Sequence, residues 1–283
     1  MKYLLLLLPF ISSVHAYTLN NNFGASFKSS SVKVFVDAGT VCPVNQITVN
    51  DLESLIDPAI DDFWNTVPTA SLRLESGGFS QSISNINEGR LCSPTDEECI
   101  SEADTAGGLD PMKGIIPPTK EITIACNNNN LNFGGSNVLA VTIPNKFSGK
   151  KIVGAMILIN ESSATFGNLS KQDKIGVIAH EIGHALGLGH TEDTAALMFY
   201  RTVNQRKHLG QDDIDGISYL YPISGDAFGL SDGLLGSCGT ISTDKKNPPG
   251  NSPFFFTMIT LGFYVLLFEV LRLLKSSKAR SAT

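Results

Sequence analysis

The chain has 283 residues, a net charge of −6 at pH 7 and 42% hydrophobic residues. When its two hydrophobic ends are set aside, about 200 residues remain, which is enough for one well-cored domain. No basic stretch is interleaved with aromatic residues, so composition and charge argue against nucleic acid as a partner.

The first 16 residues predict an export signal. Lys2 supplies a positive start, residues 3–11 form an apolar core, and Ala16 ends a small-residue cleavage site. The alternative, a membrane-spanning helix, needs a longer apolar stretch. After cleavage, the polar residues 17–30 are expected to form a flexible N-terminal segment.

Hydrophobic periodicity predicts five strands and three helices along residues 31–222. Five stretches have the apolar pattern of strands: residues 32–36, 71–75, 121–125, 138–143 (closed by Pro144) and 154–159. Three stretches have the pattern and start signals of helices: Asn50 or Asp51 to about Asn65, residues 171–187 with Ser170 as the cap, and residues 212–220. Residues 76–120 are rich in Gly, Ser, Pro and acidic residues and predict long surface loops.

The chain contains five cysteines, and export makes them candidates for disulfides. Four lie in the predicted domain and allow three pairings, of which Cys92 with Cys99 and Cys42 with Cys126 is weakly preferred. A structural zinc site is the alternative, although the ligand spacing does not favour it. Cys238 lies outside the domain, and the sequence leaves open whether it is free, lipid-modified or paired between chains.

A histidine motif of the form H-E-x-x-H-x-x-G-x-x-H occupies residues 180–190. His180 and His184 are four residues apart, so on a helix they share one face, and with His190 they give three neutral imidazoles that suit Zn²⁺. The fourth zinc position is then open for water, from which the adjacent Glu181 can take a proton. Gly187 lets the helix end in a left-handed residue, so that the chain turns back and delivers the third histidine.

The C-terminal end carries a second hydrophobic segment. Residues 254–274 are long and apolar enough for a transmembrane helix, and the basic tail at residues 275–283 favours the cytoplasmic side. Residues 223–253 have the composition of a flexible stalk. The export signal and the cytoplasmic basic tail together predict that the domain lies outside the cytoplasm. Two alternatives stay open: an amphipathic or buried C-terminal helix, and a sorting signal at Cys238-Gly239 that is cut and replaced by an anchor.

Further features accompany the histidine motif. Met198 follows the third histidine by eight residues and ends the sequence Ala196-Leu197-Met198, which resembles a turn built around a methionine. Residues 209–217 resemble a last helix that packs on this turn. Residues 138–141 resemble, more weakly, an edge strand that aligns substrate. In these features the chain resembles the metzincin proteases and, within them, the matrixin (matrix metalloproteinase-like) type.

The resemblance implies an α+β metzincin fold with a twisted, mixed, five-stranded sheet, three main helices, an active-site helix and a Met-turn. Met198 would form an apolar floor under the zinc. Asp212 and Asp213 would cap the last helix and tie it to the Met-turn or to the N-terminal end of the chain. A substrate would lie extended along the edge strand around Leu139 and Ala140.

The expected activity is that of a zinc-dependent metalloendopeptidase that hydrolyses peptide bonds of extracytoplasmic proteins. A zinc-activated water would attack the substrate, with Glu181 as the general base. One catalytic Zn²⁺ is expected. Ca²⁺ is compatible with the composition, but no spacing identifies its ligands. The alternative is a non-catalytic, zinc-bearing adhesion or binding module on a membrane stalk, against which the intact Glu181 argues.

The sequence departs from the matrixin pattern at several positions. Val141 stands where a matrixin often has a ligand of a second, structural zinc, so that site is not expected. Residues 90–96 echo the propeptide cysteine switch only faintly, and Cys92 is expected in a disulfide instead. Tyr200, two residues after Met198, is a candidate fifth zinc ligand or oxyanion donor. The alternative is that Tyr200 forms a wall of the side-chain pocket.

Overall fold

The computed structural model describes residues 17–223, apart from residues 21–23, 95, 98, 100–113, 150 and 202–204. The described residues belong to one unit, which spans residues 1–227. The predicted export signal, nearly all of the predicted stalk, the predicted transmembrane helix, the basic tail and Cys238 lie outside the described residues. Within the described part, no helix combines the length and the apolar character that crossing a bilayer requires.

Six strands form one sheet in the described part of the chain. They are β1 (Ser26–Phe27), β2 (Ser31–Asp37), β3 (Arg73–Ser80), β4 (Glu121–Asn127), β5 (Ala140–Ser148) and β6 (Lys151–Asn160). The order is β1, β6, β4, β2, β3, with β5 also paired to β6. The sheet is mixed because β5 runs antiparallel to β6, whereas the other pairings are parallel. The two residues of β1 are too few to show apolar alternation, so the sequence predicts five strands rather than six.

The strand β5 continues past Pro144, where the sequence predicts its end. The register against β6 shifts between Pro144 and Lys146, so that Asn145 forms a bulge in the ladder. Proline lacks a backbone N–H and is tolerated at bulges and in edge strands. The strand therefore accommodates the proline instead of stopping, and it ends only at Ser148.

The described helices are α1 (Val49–Glu53), α2 (Ile56–Asp61), α3 (Lys171–Leu186) and α4 (Gln211–Leu220), with 3₁₀ turns at Trp64–Thr66 and Asn130–Asn132. The single helix predicted from Asn50 or Asp51 to Asn65 is wrong, because three short helical pieces occupy this stretch. Thr48 begins the first of them through a capping box with Asp51. The start of α3 agrees with the prediction, since the Ser170 side chain accepts a hydrogen bond from the Asp173 N–H.

Side-chain alternation on β5 and β6 separates two apolar clusters. Ala140 and Ile157 belong to the larger cluster, which also contains the buried residues of α3. Val141 and Met156 belong to the smaller one, which includes residues from the loops around positions 86–91 and 116. Because successive side chains of a strand point to opposite faces, even-numbered positions near the start of β5 face α3. This alternation determines which β5 side chains can reach the histidine motif.

Two disulfides, Cys42–Cys126 and Cys92–Cys99, link the described residues. This is the weakly preferred pairing, which is confirmed. The first bond ties the loop after β2 to β4, and the second closes a short loop. The expectation that Cys92 lies in a disulfide rather than acting as a cysteine switch is confirmed, because its sulfur is bonded to Cys99.

Candidate active site

The three predicted zinc ligands lie together at the end of α3. The nitrogens of His180, His184 and His190 that can hold a metal ion all lie within 4.8 Å of one another. One turn of helix separates the first two rings, whose centroids are 4.8 Å apart. Gly187 ends α3 in the left-handed region at φ 112°, as predicted, and so allows the chain to return the third ring to the cluster.

Backbone carbonyls fix the tautomers of two of these rings. Nδ1 of His180 lies 2.7 Å from the Leu197 carbonyl oxygen, and Nδ1 of His184 lies 2.8 Å from the Leu188 carbonyl oxygen. A carbonyl oxygen can only accept, so each Nδ1 carries a proton, and the neutral form of each ring has its lone pair on Nε2. Both lone pairs are therefore available to a cation.

The ring charges and spacing also fit a divalent metal. Burial, followed by the electrostatic interaction with His180, lowers the pKa of His184 to about 3 and also lowers the pKa of His190. Both rings are therefore neutral at pH 7, as metal ligands must be. Nε2 of His184 and Nε2 of His190 are 3.1 Å apart, close to the ~3.3 Å expected for two tetrahedral ligands about 2.0–2.1 Å from zinc.

The turn that carries His190 is paired with the N-terminal segment of the described chain. Leu19 forms an antiparallel bridge with Leu188, and the Thr18 carbonyl accepts a 2.8 Å hydrogen bond from the Gly189 N–H. The Thr18 hydroxyl donates to the carbonyl of His190. The sequence predicts a loose segment here, because polar composition does not reveal backbone pairing with a distant turn.

Glu181 is buried beside the histidines. Its side chain is only 7% exposed, and its Oε2 accepts a 2.6 Å hydrogen bond from the hydroxyl of Thr142 on β5. Burial raises the pKa of Glu181, while the electrostatic interaction with His180 and the Thr142 hydrogen bond oppose that shift. Thr142 is a site residue that the sequence interpretation missed. Thr142 is two residues after Ala140 on β5, so the two side chains lie on the same face of the strand. This spacing is the signal that could have placed Thr142 on the face toward α3.

A buried methionine lies beneath α3, as the Met-turn resemblance implies. Met198 is buried, and a Cβ built on Gly183 would lie 2.4 Å from its sulfur and 2.7 Å from the Trp64 ring. Only a residue without a side chain allows this close approach. The indole N–H of Trp64 also donates to the Ala179 carbonyl at 2.9 Å, so the ring packs firmly under the helix.

The last helix is tied to the Met-turn by one carboxylate. Asp213 accepts hydrogen bonds from the backbone N–H groups of Leu197, Met198 and Gly210 at 2.5, 3.0 and 2.8 Å. Burial raises the pKa of Asp213, and the three N–H groups oppose the shift. Because the Leu197 carbonyl contacts Nδ1 of His180, Asp213 acts on a histidine through a single intervening residue.

A cavity of about 280 Å³ opens beside the histidines. Leu139 and Ala140 of the predicted substrate strand line it, together with His180, Glu181 and Tyr200. Tyr200 is 51% exposed, and its ring packs on Phe199 with the centroids 4.6 Å apart. This placement is that of a cavity wall, and the role of Tyr200 as a zinc ligand or oxyanion donor stays a prediction.

The arrangement of a sheet, a histidine-bearing helix and a buried methionine turn is similar to that of the metzincin class. Within that class, a peptidase family model described as Matrixin matches residues 124–222. The match supports a matrixin-type catalytic domain in this chain.

Curated proteins that are similar to this chain support the same family. Interstitial collagenase B of Mus musculus is 46% identical over 66 residues, which cover 23% of this chain and 14% of the relative. Matrix metalloproteinase-27 of Homo sapiens is 56% identical over 48 residues, covering 16% and 9%. Stromelysin-1 of Mus musculus is 37% identical over 99 residues, covering 33% and 20%. The chain thus spans at most a fifth of the length of these relatives.

Proposed function

We propose that the protein is a zinc-dependent metalloendopeptidase that cleaves proteins or peptides outside the cytoplasm. The observation that carries this proposal is the convergence of three imidazoles, with their ligand nitrogens within 4.8 Å of one another, beside an open cavity that Glu181 lines. The two disulfides support an oxidising, extracytoplasmic location.

His180, His184 and His190 are the residues that would hold the zinc. When bound, the ion supplies a Lewis acid and lowers the pKa of water. The protein's part is to orient the rings, which the carbonyls of Leu197 and Leu188 do for His180 and His184 through Nδ1. The match with a matrixin family model supports the same assignment.

Glu181 would move the proton. In the proposed reaction its carboxylate accepts a proton from the attacking water and then gives it to the amine that leaves as the peptide bond breaks. The side chain is suited to this task because it is buried, lines the cavity and lies next to the first histidine. A module that only binds ligands has no need of a carboxylate at this position.

The substrate would bind along the outer edge of β5. The Leu139 carbonyl accepts a hydrogen bond from the Asn160 N–H at 3.0 Å, so it points toward β6. Backbone groups of successive residues alternate in direction, and the N–H and C=O of Ala140 therefore point away from β6. An extended peptide can pair with them as an added strand while one of its side chains enters the cavity.

A glutamate variant tests the proposal on the full-length chain. We expect Glu181→Ala to bind one zinc ion per chain, as the wild type does, and to lose at least ~100-fold in cleavage of a generic peptide library. The matched control is Glu192→Gln, which removes an exposed carboxylate two residues after the third histidine and is expected to cleave normally. Cleavage by Glu181→Ala at the wild-type rate would exclude the mechanism.

A wild-type chain that holds zinc and cleaves no member of the library would favour the alternative of a zinc-bearing binding module. Zinc content measured on the same samples separates that outcome from simple loss of the metal.

A further inference from the structure

The hydrogen bond between Thr142 and Glu181 joins two parts of the molecule that the proposed reaction uses. Glu181 lies on α3, next to a histidine of the cluster, and Thr142 lies on β5, two residues after Ala140. The hydroxyl of Thr142 donates to Oε2 of Glu181 at 2.6 Å. The strand proposed to align the substrate therefore also contacts the proposed general base.

The sheet holds Thr142 in a fixed position. Its Cα is paired with that of Ile157 in the antiparallel ladder between β5 and β6. Its neighbours Val141 and Ile143 pack against the smaller apolar cluster on the opposite face, so the alternation of the strand turns Thr142 toward α3. A β-branched side chain also has few χ1 rotamers to choose from. The hydroxyl is therefore directed at the carboxylate by the backbone itself.

We propose that Thr142 is a positioning residue for Glu181, holding Oε2 so that the other carboxylate oxygen takes up the proton. This inference rests on the proposed peptidase function.

The donor is compatible with each stage of the proton transfer. A threonine hydroxyl has one O–H group, which can donate a hydrogen bond to Oε2 whether Glu181 is ionised or has accepted a proton on its other oxygen. The proton that leaves the water therefore arrives at one oxygen and departs from the same oxygen to the leaving amine. Throughout, the hydrogen bond from Thr142 keeps the carboxylate from rotating in its buried site.

Two substitutions separate the hydroxyl from the shape of the side chain. Thr142→Val keeps the branched shape and removes the donor, whereas Thr142→Ser keeps the donor. For the zinc-loaded, full-length chain we expect Thr142→Val to lower kcat about tenfold or more, with KM within about twofold of wild type. Thr142→Ser should stay within about threefold in kcat. A Thr123→Val variant, which makes the same change at a buried position of β4, is the control and should cleave normally.

A second readout does not depend on activity. In a crystal structure of Thr142→Val, we expect the Glu181 carboxylate to occupy a rotamer different from that of the wild type or more than one rotamer. Zinc affinity, measured by competition with a chelator, should be unchanged, because the imidazoles keep their partners. If Thr142→Val does not fold, Thr142→Ala gives the same comparison with less apolar bulk.

Wild-type kcat in Thr142→Val, or an equal loss in Thr142→Ser, would overturn the inference. An unmoved Glu181 side chain in the variant structure would overturn it as well, even if the wild type cleaved no peptide. Absence of wild-type cleavage alone counts against the proposed function, and the side-chain position still tests the role of Thr142.

Discussion

At the scale of single residues, the histidine site depends on residues outside the predicted set of zinc ligands. Leu197 is the clearest case, because its N–H donates to Asp213 and its carbonyl accepts from His180. Gly183 is another, since its lack of a side chain lets Met198 lie directly against α3. Partners of this kind typically change metal affinity or activity 10–100-fold when they are removed.

Two glycines of α3 give a matched pair of predictions. Gly183→Ala places a Cβ 2.4 Å from the Met198 sulfur, whereas a Cβ at Gly176 would meet only the Arg206 Cβ at 3.7 Å. We expect Gly183→Ala to lower the free energy of unfolding by about 1–3 kcal/mol through overpacking. Gly176→Ala should raise it by up to about 1 kcal/mol, because alanine favours the helix. Denaturant unfolding of both variants is the measurement, and equal effects would contradict the packing argument.

At the scale of elements, α3 agrees with its sequence prediction because its signals are local. Ser170 at its start and Gly187 at its end act within a few residues, and the spacing of the histidines is set by the helix itself. The helix predicted near residues 50–65 fails because apolar periodicity does not show where the chain breaks. Thr142 and Glu181 are 39 residues apart in the chain. The alternation of β5 predicts the face on which Thr142 lies, but it does not predict which residue of α3 Thr142 contacts.

We expect the stability of the protein to depend on pH through Asp173, which lies in the first turn of α3. Hydrogen bonds from the Gln205 N–H and from Ser170 lower the pKa of Asp173 below 3.8. A lowered carboxyl pKa contributes stability that is present above pH 3.8 and lost as the pH falls through the lowered value. We expect Asp173→Asn to have a lower Tm than the wild type at pH 6, with the difference shrinking as the pH falls below 3.8 and the carboxyl group becomes protonated. A difference in Tm that is independent of pH would contradict this assignment.

At the scale of the whole molecule, the disulfides connect segments that sequence order keeps apart. Cys42–Cys126 joins residues 84 positions apart, and Cys92–Cys99 joins residues 7 apart. The pairing could be narrowed to three possibilities from the sequence, but the choice depends on β2 and β4 being sheet neighbours. The pairing of the N-terminal segment with the histidine turn is likewise a long-range contact that composition does not reveal.

The two disulfides should differ in their effect on stability. Because a crosslink stabilises more when it closes a longer loop, replacing Cys42 and Cys126 by serine should cost up to about 4–5 kcal/mol of unfolding free energy. The same replacement of Cys92 and Cys99 should cost about 2 kcal/mol. Denaturant unfolding of the two double variants provides the comparison. A larger loss of unfolding free energy when Cys92 and Cys99 are replaced would show that Cys42–Cys126 is not the main crosslink of the fold.

The central claim, a zinc-dependent peptidase, is tested most directly by removing and restoring the metal. The full-length chain is incubated with a peptide library before chelation, after chelation and after addition of Zn²⁺, and the products are identified by mass spectrometry. We predict cleavage at defined bonds, loss of all of these products with the chelator and their return with zinc. Cleavage that persists without zinc, or a zinc-loaded chain that cuts no peptide, would contradict the claim.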